Sequence, residues 1–270
     1  PPLTLEEALD TTKIHSIAGI LSPGQALVTR RPFRAPHHTA SDAGLLGGTA
    51  HPLPGEISIA HNGVLFLDEL PEFKRSVLET MRQPLEEGQV TISRAAGTVT
   101  YPANFMLVAA MNPSPDGKMP TQSQCSPREI QRYLGKISGP LLDRIDMHVE
   151  VPLVPFREIA ATASSESSQS IRARVIASRQ IQHQRFQNHK QITHNASMPP
   201  RLLKEHCSLS REPFELLKKA MEDLHLSARA YDRILKVART IADLTDSASI
   251  SSEHLAEAIQ YRSLDRQLWS

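Results

Sequence analysis

A short apolar run that ends in two acids is the clearest feature of the hydrophobic pattern. Residues 64–67 are all apolar, and Asp68 and Glu69 follow them directly. A run of this length without alternation is typical of a strand buried on both faces. Ligands of open α/β sheets bind outside the carboxyl ends of the strands, so the two acids are expected to face a crevice. Taken alone, such a stretch is more often a strand that ends in two solvated acids.

Two further apolar segments predict strands. Residues 104–112 predict a second buried strand that ends in Asn112, and the alternation over 147–152 predicts a third. Val90, Ile92, Val99 and Tyr101 alternate with polar residues on either side of S-R-A-A-G, which is a hairpin signature. The pattern therefore predicts a hairpin over 90–101, with Arg94 at or near its tip.

Helices and loops fill the rest of the first half. One helix is predicted from a cap at Thr4 to about residue 20, and another over 71–87, ended by Gly88. Residues 41–62 are expected to form a loop-rich insertion. Arg30, Arg31 and Arg34 lie in the segment 29–38, where two prolines exclude a central strand. Such a basic stretch is more often solvated than bound to phosphate.

His37 and His38 form the only adjacent histidine pair. Neighbouring side chains on an extended segment point to opposite faces, so these two histidines are not expected to share a metal ion. The loop from Pro113 to Pro127 is rich in Pro, Ser and Gln, and Pro127 then favours a helix start. A short helical turn after Pro140 presents Arg144.

The second half is predicted to be entirely helical. We expect an α/β domain over 1–155, a polar linker over 156–170 and a helical domain over 171–270. One of its helices has Ser227 as its cap and carries Arg229 in its first turn. One side of that helix is a predicted apolar core stripe. The opposite side carries Arg229, Arg233 and Lys236, and a charged stripe of this kind is normally a solvated face. The predicted helices cover 171–187, 200–207, 211–225, 228–245 and 252–264, and the core stripe consists of Ile234, Val237, Ala238, Ile241 and Leu244.

Composition limits the classes of function. Thirty basic and 29 acidic residues give a net charge of +1, so contact with nucleic acid requires a local basic patch. Two cysteines are too few for a disulfide scaffold and suit a reducing compartment. No apolar run is long enough to cross a bilayer and no signal peptide is evident, so we expect a cytoplasmic protein without membrane contact. A start without Met, directly before a helix, indicates a fragment of a longer protein.

Together these motifs resemble one family. The strings R-P-F-R-A-P-H-H-T, P-G-E-I-S-I-A-H-N-G-V-L-F-L-D-E-L-P-E-F, V-T-I-S-R-A and S-G-P-L-L-D-R-I-D are similar to those of Mg-chelatase-like AAA+ ATPases, specifically the ComM (YifB) family. The resemblance covers nearly the whole chain. It implies an incomplete AAA+ (P-loop NTPase) α/β core with a partial parallel sheet and a pre-sensor β-hairpin, followed by an all-α helical lid domain.

The resemblance implies an ATP site that uses Mg²⁺. Asp68 and Glu69 match the Walker B pair: Asp68 holds Mg²⁺ through water, and Glu69 activates the attacking water. Asn112 matches the first sensor, an amide that detects the γ-phosphate and orients the water. Arg144 matches an arginine finger that reaches into a neighbouring subunit, and Arg229 matches the second sensor in the lid.

The same resemblance implies a DNA-acting ring. Arg94 matches a hairpin residue that lines the pore of a hexamer and contacts DNA phosphates without reading sequence. Family members act as ring helicases in branch migration during uptake and recombination of transforming DNA, so the implied partners are single-stranded or branched DNA and further copies of the chain. Two alternatives are a magnesium-chelatase ATPase subunit and, among non-enzymes, a degenerate ring-forming interaction module.

The chain departs from the family pattern in two places. A thiol cluster is expected after the sensor, but its positions hold Ser114, Asp116, Ser123 and Cys125, so we predict no metal there. No G-x-x-x-x-G-K-[ST] motif occurs in the sequence. The family places that loop and its strand upstream of residue 1. We therefore expect a gap, a changed order or a borrowed strand in the sheet, and a fragment that neither binds ATP tightly nor hydrolyses it.

Overall fold

The structure is a computed structural model that describes residues 1–48, 52–94, 97–154, 165–189 and 192–262. Contacts divide the chain into an N-terminal unit, Pro2–Ile145, and a C-terminal unit that starts at Asp146. The fold is mixed α/β, with a parallel sheet in the N-terminal unit and helices in both units. In the described part of the chain, no helix has both the length and the apolar character needed to cross a bilayer.

A three-stranded parallel sheet organises the N-terminal unit. Its spatial order is β1 (Phe33–Arg34), β2 (Val64–Leu67) and β5 (Met106–Ala109), numbered in chain order. The strand predicted before the two acids is therefore confirmed and lies in the centre. Leu65 and Leu67 are fully buried, whereas the alternate residues Val64 and Phe66 are half-buried. The expectation of burial on both faces is thus met only on one.

Helices make up much of the rest of the N-terminal unit. The helices of the N-terminal unit are α1 (Leu5–Ile17), α2 (Asp42–Leu46), α3 (Glu56–Ile59), α4 (Arg75–Thr80), α5 (Arg82–Glu87), α6 (Pro127–Leu134) and α7 (Gly139–Leu142). The predicted caps at Thr4 and before Pro127 are confirmed, each as a capping box. Helix α1 ends three residues earlier than predicted, at Ile17. The stretch 41–62 is more regular than a loop-rich insertion, because it contains α2 and α3.

The single helix predicted over 71–87 is wrong. The segment is a 3-10 turn, Leu70–Glu72, followed by α4 and α5. Pro84 has no backbone N–H to bond the carbonyl of Thr80, so the helical ladder breaks where α4 ends. Gly88 ends α5 in a left-handed conformation with φ 64°, and a Cβ there would lie 2.1 Å from Asn104 Oδ1.

The predicted hairpin segment forms two antiparallel strands. Strands β3 (Gln89–Arg94) and β4 (Gly97–Pro102) pair along their whole length, and Arg94 is opposite Gly97. Residues 95 and 96 lie outside the described residues. Val90 and Ile92 are buried on one face of the pair. The opposite face carries two hydroxyl pairs, Thr91–Thr100 and Ser93–Thr98, each with oxygens 3.0 Å apart.

Strand β5 ends the sheet in the described residues. It is shorter than the predicted 104–112, and it is not buried, because Met106 and Val108 are 60% and 38% exposed. The strand predicted over 147–152 is also wrong: these residues form no strand, and Val149 and Val151 are exposed. An extended segment becomes a strand only when a neighbour pairs with it, and no described strand pairs with 147–152.

The basic stretch around β1 is only partly solvated, because Arg30 is exposed whereas Arg31 and Arg34 have carboxylate partners. Arg34 makes two bonds to the Glu56 carboxylate, at 2.6 and 2.7 Å, and this partner raises the pKa of the guanidinium. Arg31 contacts Glu7 Oε2 at 2.8 Å and donates to the Asn62 carbonyl. Both side chains therefore fasten β1 to the helices and turn beside it.

The C-terminal unit is helical, as predicted. Its helices are α8 (Ser168–Arg185), α9 (Pro200–His206), α10 (Arg211–Asp223), α11 (Ala228–Leu244) and α12 (Ser252–Gln260). Residues 156–164 of the predicted linker 156–170 lie outside the described residues, and α8 already begins at Ser168, within its last part. The predicted end of the last helix, after Arg262, also lies outside the described residues.

The predicted core stripe of α11 is shifted. Ile234, Ala238 and Ile241 are buried as predicted, but Val237 is only half-buried and Leu244 is exposed. Leu235, Ala242, Arg239 and Asp243 are buried as well. Arg239 and Asp243 form an ion pair with each other. The buried face of α11 therefore includes these two charged positions and is wider than the predicted apolar stripe.

Candidate functional site

Three connecting segments leave the same edge of the parallel sheet. His37 and His38 follow β1, Asp68 and Glu69 follow β2, and Asn112 lies three residues after β5. Because all three strands run in one direction, their carboxyl ends meet at one edge. We call this the carboxyl edge. Leu67 pairs with Ala109, so the two acids and the Asn112 segment follow adjacent strands.

The backbone around the two acids is fixed by hydrogen bonds. Glu69 has a left-handed conformation, with φ 51° and ψ 47°, which a non-glycine residue rarely adopts. Its N–H donates to Asp68 Oδ1 at 2.9 Å, and its carbonyl accepts from the Glu72 N–H at 2.7 Å. The next residue, Leu70, donates to the Ala110 carbonyl of the neighbouring strand's extension. Strained residues held in this way are concentrated at functional sites.

Both carboxylates are accessible to solvent, and Glu69 has a histidine partner. Its Oε2 lies 3.0 Å from His38 Nδ1. The rings of His37 and His38 lie 4.1 Å apart, so the expectation that they point to opposite faces is wrong. The reason is that His38 begins a turn, closed by a bond from the Ala40 N–H to the His37 carbonyl, and the segment is not extended there.

Asn112 is exposed and lies beside a residue that the sequence did not indicate. The backbone of Asn112 hydrogen-bonds the hydroxyl of Tyr133, which is 7% exposed. Burial raises the pKa of Tyr133, and the charges of Glu72 and Glu69 raise it further, whereas the bond from Asn112 opposes the shift. Tyr133 therefore ties α6 to the carboxyl edge. Nothing in the sequence around Tyr133 indicated that its hydroxyl would bond the backbone of Asn112.

Arg144 lies just after α7 and is turned towards its own unit. Its guanidinium bonds Glu86 Oε1 and donates to the Pro140 carbonyl at 2.5 Å, and only 8% of the side chain is exposed. The predicted role of Arg144 as an arginine finger in a neighbouring subunit would require its side chain to leave Glu86, and that role stays a prediction.

The other two predicted arginines lie away from these segments in the chain. Arg94, at the end of β3, donates through Nε to the Gly48 carbonyl at 3.1 Å and through Nη1 to the carbonyl of Ser93. Arg229 is exposed at the start of α11 in the C-terminal unit. Its predicted role beside a nucleotide stays a prediction.

A carboxylate organises the loop where the family pattern places thiols. Asp116 Oδ1 lies 2.6 Å from Ser114 Oγ and 2.8 Å from Ser123 Oγ, and Oδ2 accepts the Gln124 N–H at 3.0 Å. These bonds, led by that from Ser114, hold the pKa of Asp116 below its usual range. They join the two ends of the loop through hydrogen bonds.

The residues present fit only part of a nucleotide site. In the described residues, no three His, Cys, Asp or Glu side chains are grouped as a metal cage would need. Mg²⁺ beside a triphosphate needs only one or two carboxylates, because phosphates and water supply the other ligands, and Asp68 fits that role. The backbone N–H groups that cradle the phosphates have no counterpart among these residues, since the sequence has no Gly-rich phosphate loop.

Comparison with known proteins gives two family matches. Residues 1–159 match the family described as magnesium chelatase, subunit ChlI, and residues 165–262 match the ChlI C-terminal family. The chain is 46% identical over 270 residues to a Salmonella typhimurium protein named YifB, covering 99% of this chain and 52% of the relative.

The chain is also similar to a competence protein and, more distantly, to a chelatase subunit. The chain is 50% identical over 241 residues to the competence protein ComM of Haemophilus influenzae, covering 88% of this chain and 46% of the relative. Its identity to the magnesium-chelatase subunit ChlI of Pyropia yezoensis is 26% over 106 residues, which is 39% of this chain and 24% of the relative. The chain thus spans about half the length of the YifB and ComM proteins it matches.

Proposed function

Because the chain belongs to the ChlI-type magnesium chelatase family, in its ComM and YifB branch, we propose that its carboxyl edge is the hydrolytic part of an ATP site. The family is AAA+-like, which makes ATP hydrolysis the expected reaction. The observation that carries the proposal is the meeting of Asp68, Glu69 and the Asn112 segment at the carboxyl ends of adjacent parallel strands.

Each residue has a distinct task in this proposal. Asp68 would hold Mg²⁺ through water, and the metal when bound would neutralise charge on the phosphates. Glu69 accepts a hydrogen bond from the attacking water and takes its proton as the water oxygen bonds to the γ-phosphorus and the bond from phosphorus to the bridging oxygen of the leaving ADP breaks. The Asn112 amide orients the same water. The fixed backbone of Glu69 sets the direction in which its side chain leaves the carboxyl edge, which favours the geometry needed for attack.

The phosphate cradle must come from elsewhere. The 270 residues contain no G-x-x-x-x-G-K-[ST] loop, so they offer no lysine and Gly-rich backbone for the β- and γ-phosphates. We therefore propose that this chain alone is inactive, and that hydrolysis needs the full-length protein. Arg144 and Arg229 would complete the site as an arginine finger from a neighbouring subunit and a second sensor, in a hexameric ring.

The proposed substrate of the motor is DNA, single-stranded or branched. The supporting features are the similarity to a competence protein and the hairpin of β3 and β4, which ends in Arg94. An arginine at this position can contact phosphates, and phosphate contacts hold a strand without reading its sequence. Branch migration during recombination of transforming DNA is the process that this assignment favours.

Replacing Arg94 by Ala in the full-length protein should weaken DNA-stimulated ATP hydrolysis several-fold. Loss of one phosphate contact per bound subunit should also reduce the salt dependence of DNA binding, by about 0.7 in the log–log slope for each subunit that contacts a single strand. Arg94→Lys keeps the charge and should recover much of both effects. Turnover at saturating ATP with and without single-stranded DNA, and DNA affinity across a salt series, measure them.

The matched control is Arg128→Ala, which removes an exposed arginine from α6 in the same unit and should leave both quantities near wild type. DNA stimulation that is unchanged in Arg94→Ala would contradict the role of the hairpin. A wild-type protein whose turnover does not respond to DNA at all would favour the chelatase alternative.

Two alternatives are less well supported. A magnesium-chelatase ATPase subunit would use the same carboxyl edge, but the similarity to such a subunit covers only 39% of the chain, against 99% for a YifB protein. A degenerate, non-catalytic ring module has no reason to retain Asp68, Glu69 and Asn112 at adjacent strand ends. It would gain support if the full-length protein also lacked a phosphate loop.

A further inference from the structure

His38 belongs to the strand next to the two acids. It follows β1, whose register pairs Phe33 with Val64 and so places the two strand ends side by side. From there its Nδ1 reaches to 3.0 Å from Glu69 Oε2. Asp68, by contrast, uses its carboxylate to accept the Glu69 N–H. The two acids therefore have different partners, although they are neighbours in the chain.

The imidazole of His38 is held by its surroundings. Its ring lies 4.1 Å from that of His37 and meets the buried ring of Phe73 edge-on, with centroids 6.4 Å apart. His37 is fixed in turn, because its Nδ1 lies 2.9 Å from Thr39 Oγ1. A ring packed in this way loses little further freedom when it makes a hydrogen bond, so it is suited to orient another side chain.

Glu69 has a fixed backbone but a flexible side chain. Hydrogen bonds hold its N–H and carbonyl, and its left-handed conformation sets the direction of Cβ. Three side-chain torsions still separate the backbone from the carboxylate, and 53% of the side chain is exposed. A partner on the next strand is what restricts the carboxylate.

We propose that His38 is a positioning residue of the hydrolytic site, which holds the Glu69 carboxylate through Nδ1 in the orientation from which it accepts the proton of water. This inference rests on the proposed function. His38 does not contact substrate in this role and acts only through Glu69. A hydrogen bond to a charged group has a typical strength that corresponds to about tenfold or more in rate.

The kinetic test uses the full-length protein. His38→Ala should lower kcat for ATP by about tenfold and leave KM within about twofold, because Glu69 acts on the water and not on nucleotide binding. His38→Asn, whose amide can replace Nδ1, should recover most of the rate, whereas His38→Gln should not. In a Glu69→Gln background, His38→Ala should cause no further loss.

The control variant is Lys136→Ala. Lys136 Nζ lies 3.4 Å from Glu72, so this change removes an ion partner from the next acid along the chain and should not alter kcat. If His38→Ala proves unstable, the comparison of His38→Asn with His38→Gln decides alone: equal rates in the two would overturn the inference.

A second readout needs no nucleotide. In the nucleotide-free protein, Glu69→Gln should shift the ¹⁵N resonance of His38 Nδ1, and Glu72→Gln should not. An unmoved His38 resonance would overturn the contact, and with it the inference. Wild-type turnover in Glu69→Gln would overturn the proposed function and the inference together. Lost turnover in Glu69→Gln with full turnover in His38→Ala would overturn the inference alone.

Discussion

Glu69→Gln lowers ATP hydrolysis by the full-length protein about a thousandfold if Glu69 is the residue that takes the proton from the attacking water. The amide has nearly the size and shape of the carboxylate, so the fixed backbone from Asp68 to Leu70 should be preserved. It cannot accept a proton. Nucleotide binding should therefore remain within a few-fold of wild type while kcat falls, and steady-state turnover with a binding titration separates the two.

The matched control for this prediction is Glu72→Gln. Glu72 is an exposed acid three residues away, and it contacts Lys136 at 3.4 Å. Its loss should leave turnover within about twofold of wild type. The 270-residue chain, assayed alone, should show only background hydrolysis. Turnover that survives in Glu69→Gln, or equal losses in the two variants, would exclude Glu69 as the base.

The largest effect on stability is expected at Asp243. Its side chain is fully buried and accepts hydrogen bonds from Arg185 at 2.5 and 2.7 Å, and from Asn195 at 2.7 Å. Arg239, itself 3% exposed, donates to it from one turn earlier on α11 and also binds the carbonyls of Ser247 and Ala248. One carboxylate thus neutralises two arginines and joins α8, α11 and the loop after α11.

Asp243→Asn should reduce the free energy of unfolding of the C-terminal unit by about 3–5 kcal/mol. The substitution keeps the side-chain volume but leaves two largely buried guanidinium groups without their anion, and it directs an amide N–H₂ at donors. Urea unfolding of the chain, followed by the circular dichroism of its helices, measures the change.

Asp223→Asn is the control for this loss. Asp223 is the exposed last residue of α10, where removal of a negative charge should change stability by less than about 0.5 kcal/mol. An unfolding midpoint for Asp243→Asn that matches the control would show that the network contributes little.

Local signals explain what could be predicted from the sequence. Caps such as Thr4, Ser126 and Ser227, and an apolar period near 3.6, mark helices through contacts within a few residues. The alternation over 90–101 marked the antiparallel pair in the same way. The strand before Asp68 was visible because its apolar run is short and ends at once in two acids.

Features that depend on distant neighbours were missed or wrong. The contact of His38 with Glu69 needs the parallel register of β1 and β2, which no local pattern reports. Residues 147–152 alternate like a strand but have no described strand to pair with. The break after Thr80 did have a local signal, Pro84, which the strong apolar stripe around it outweighed.

Buried charge was another source of error. Arg239 and Asp243 are charged, as residues of a solvated helix face usually are, so the predicted core stripe of α11 left them out and included Val237 and Leu244. Only the three-dimensional pairing with Arg185 explains why these polar positions face inward. Tyr133, likewise, becomes part of the candidate site only through the fold of α6 against the Asn112 segment.

The most direct test of the central claim is a structure of the full-length protein with Mg²⁺, ADP and beryllium fluoride as a γ-phosphate mimic. The account predicts the mimic at the carboxyl edge, with Asp68 in the water shell of the metal and with Glu69 and Asn112 facing the position of the attacking water. Nucleotide bound elsewhere, with Asp68 and Glu69 in open solvent, would contradict it.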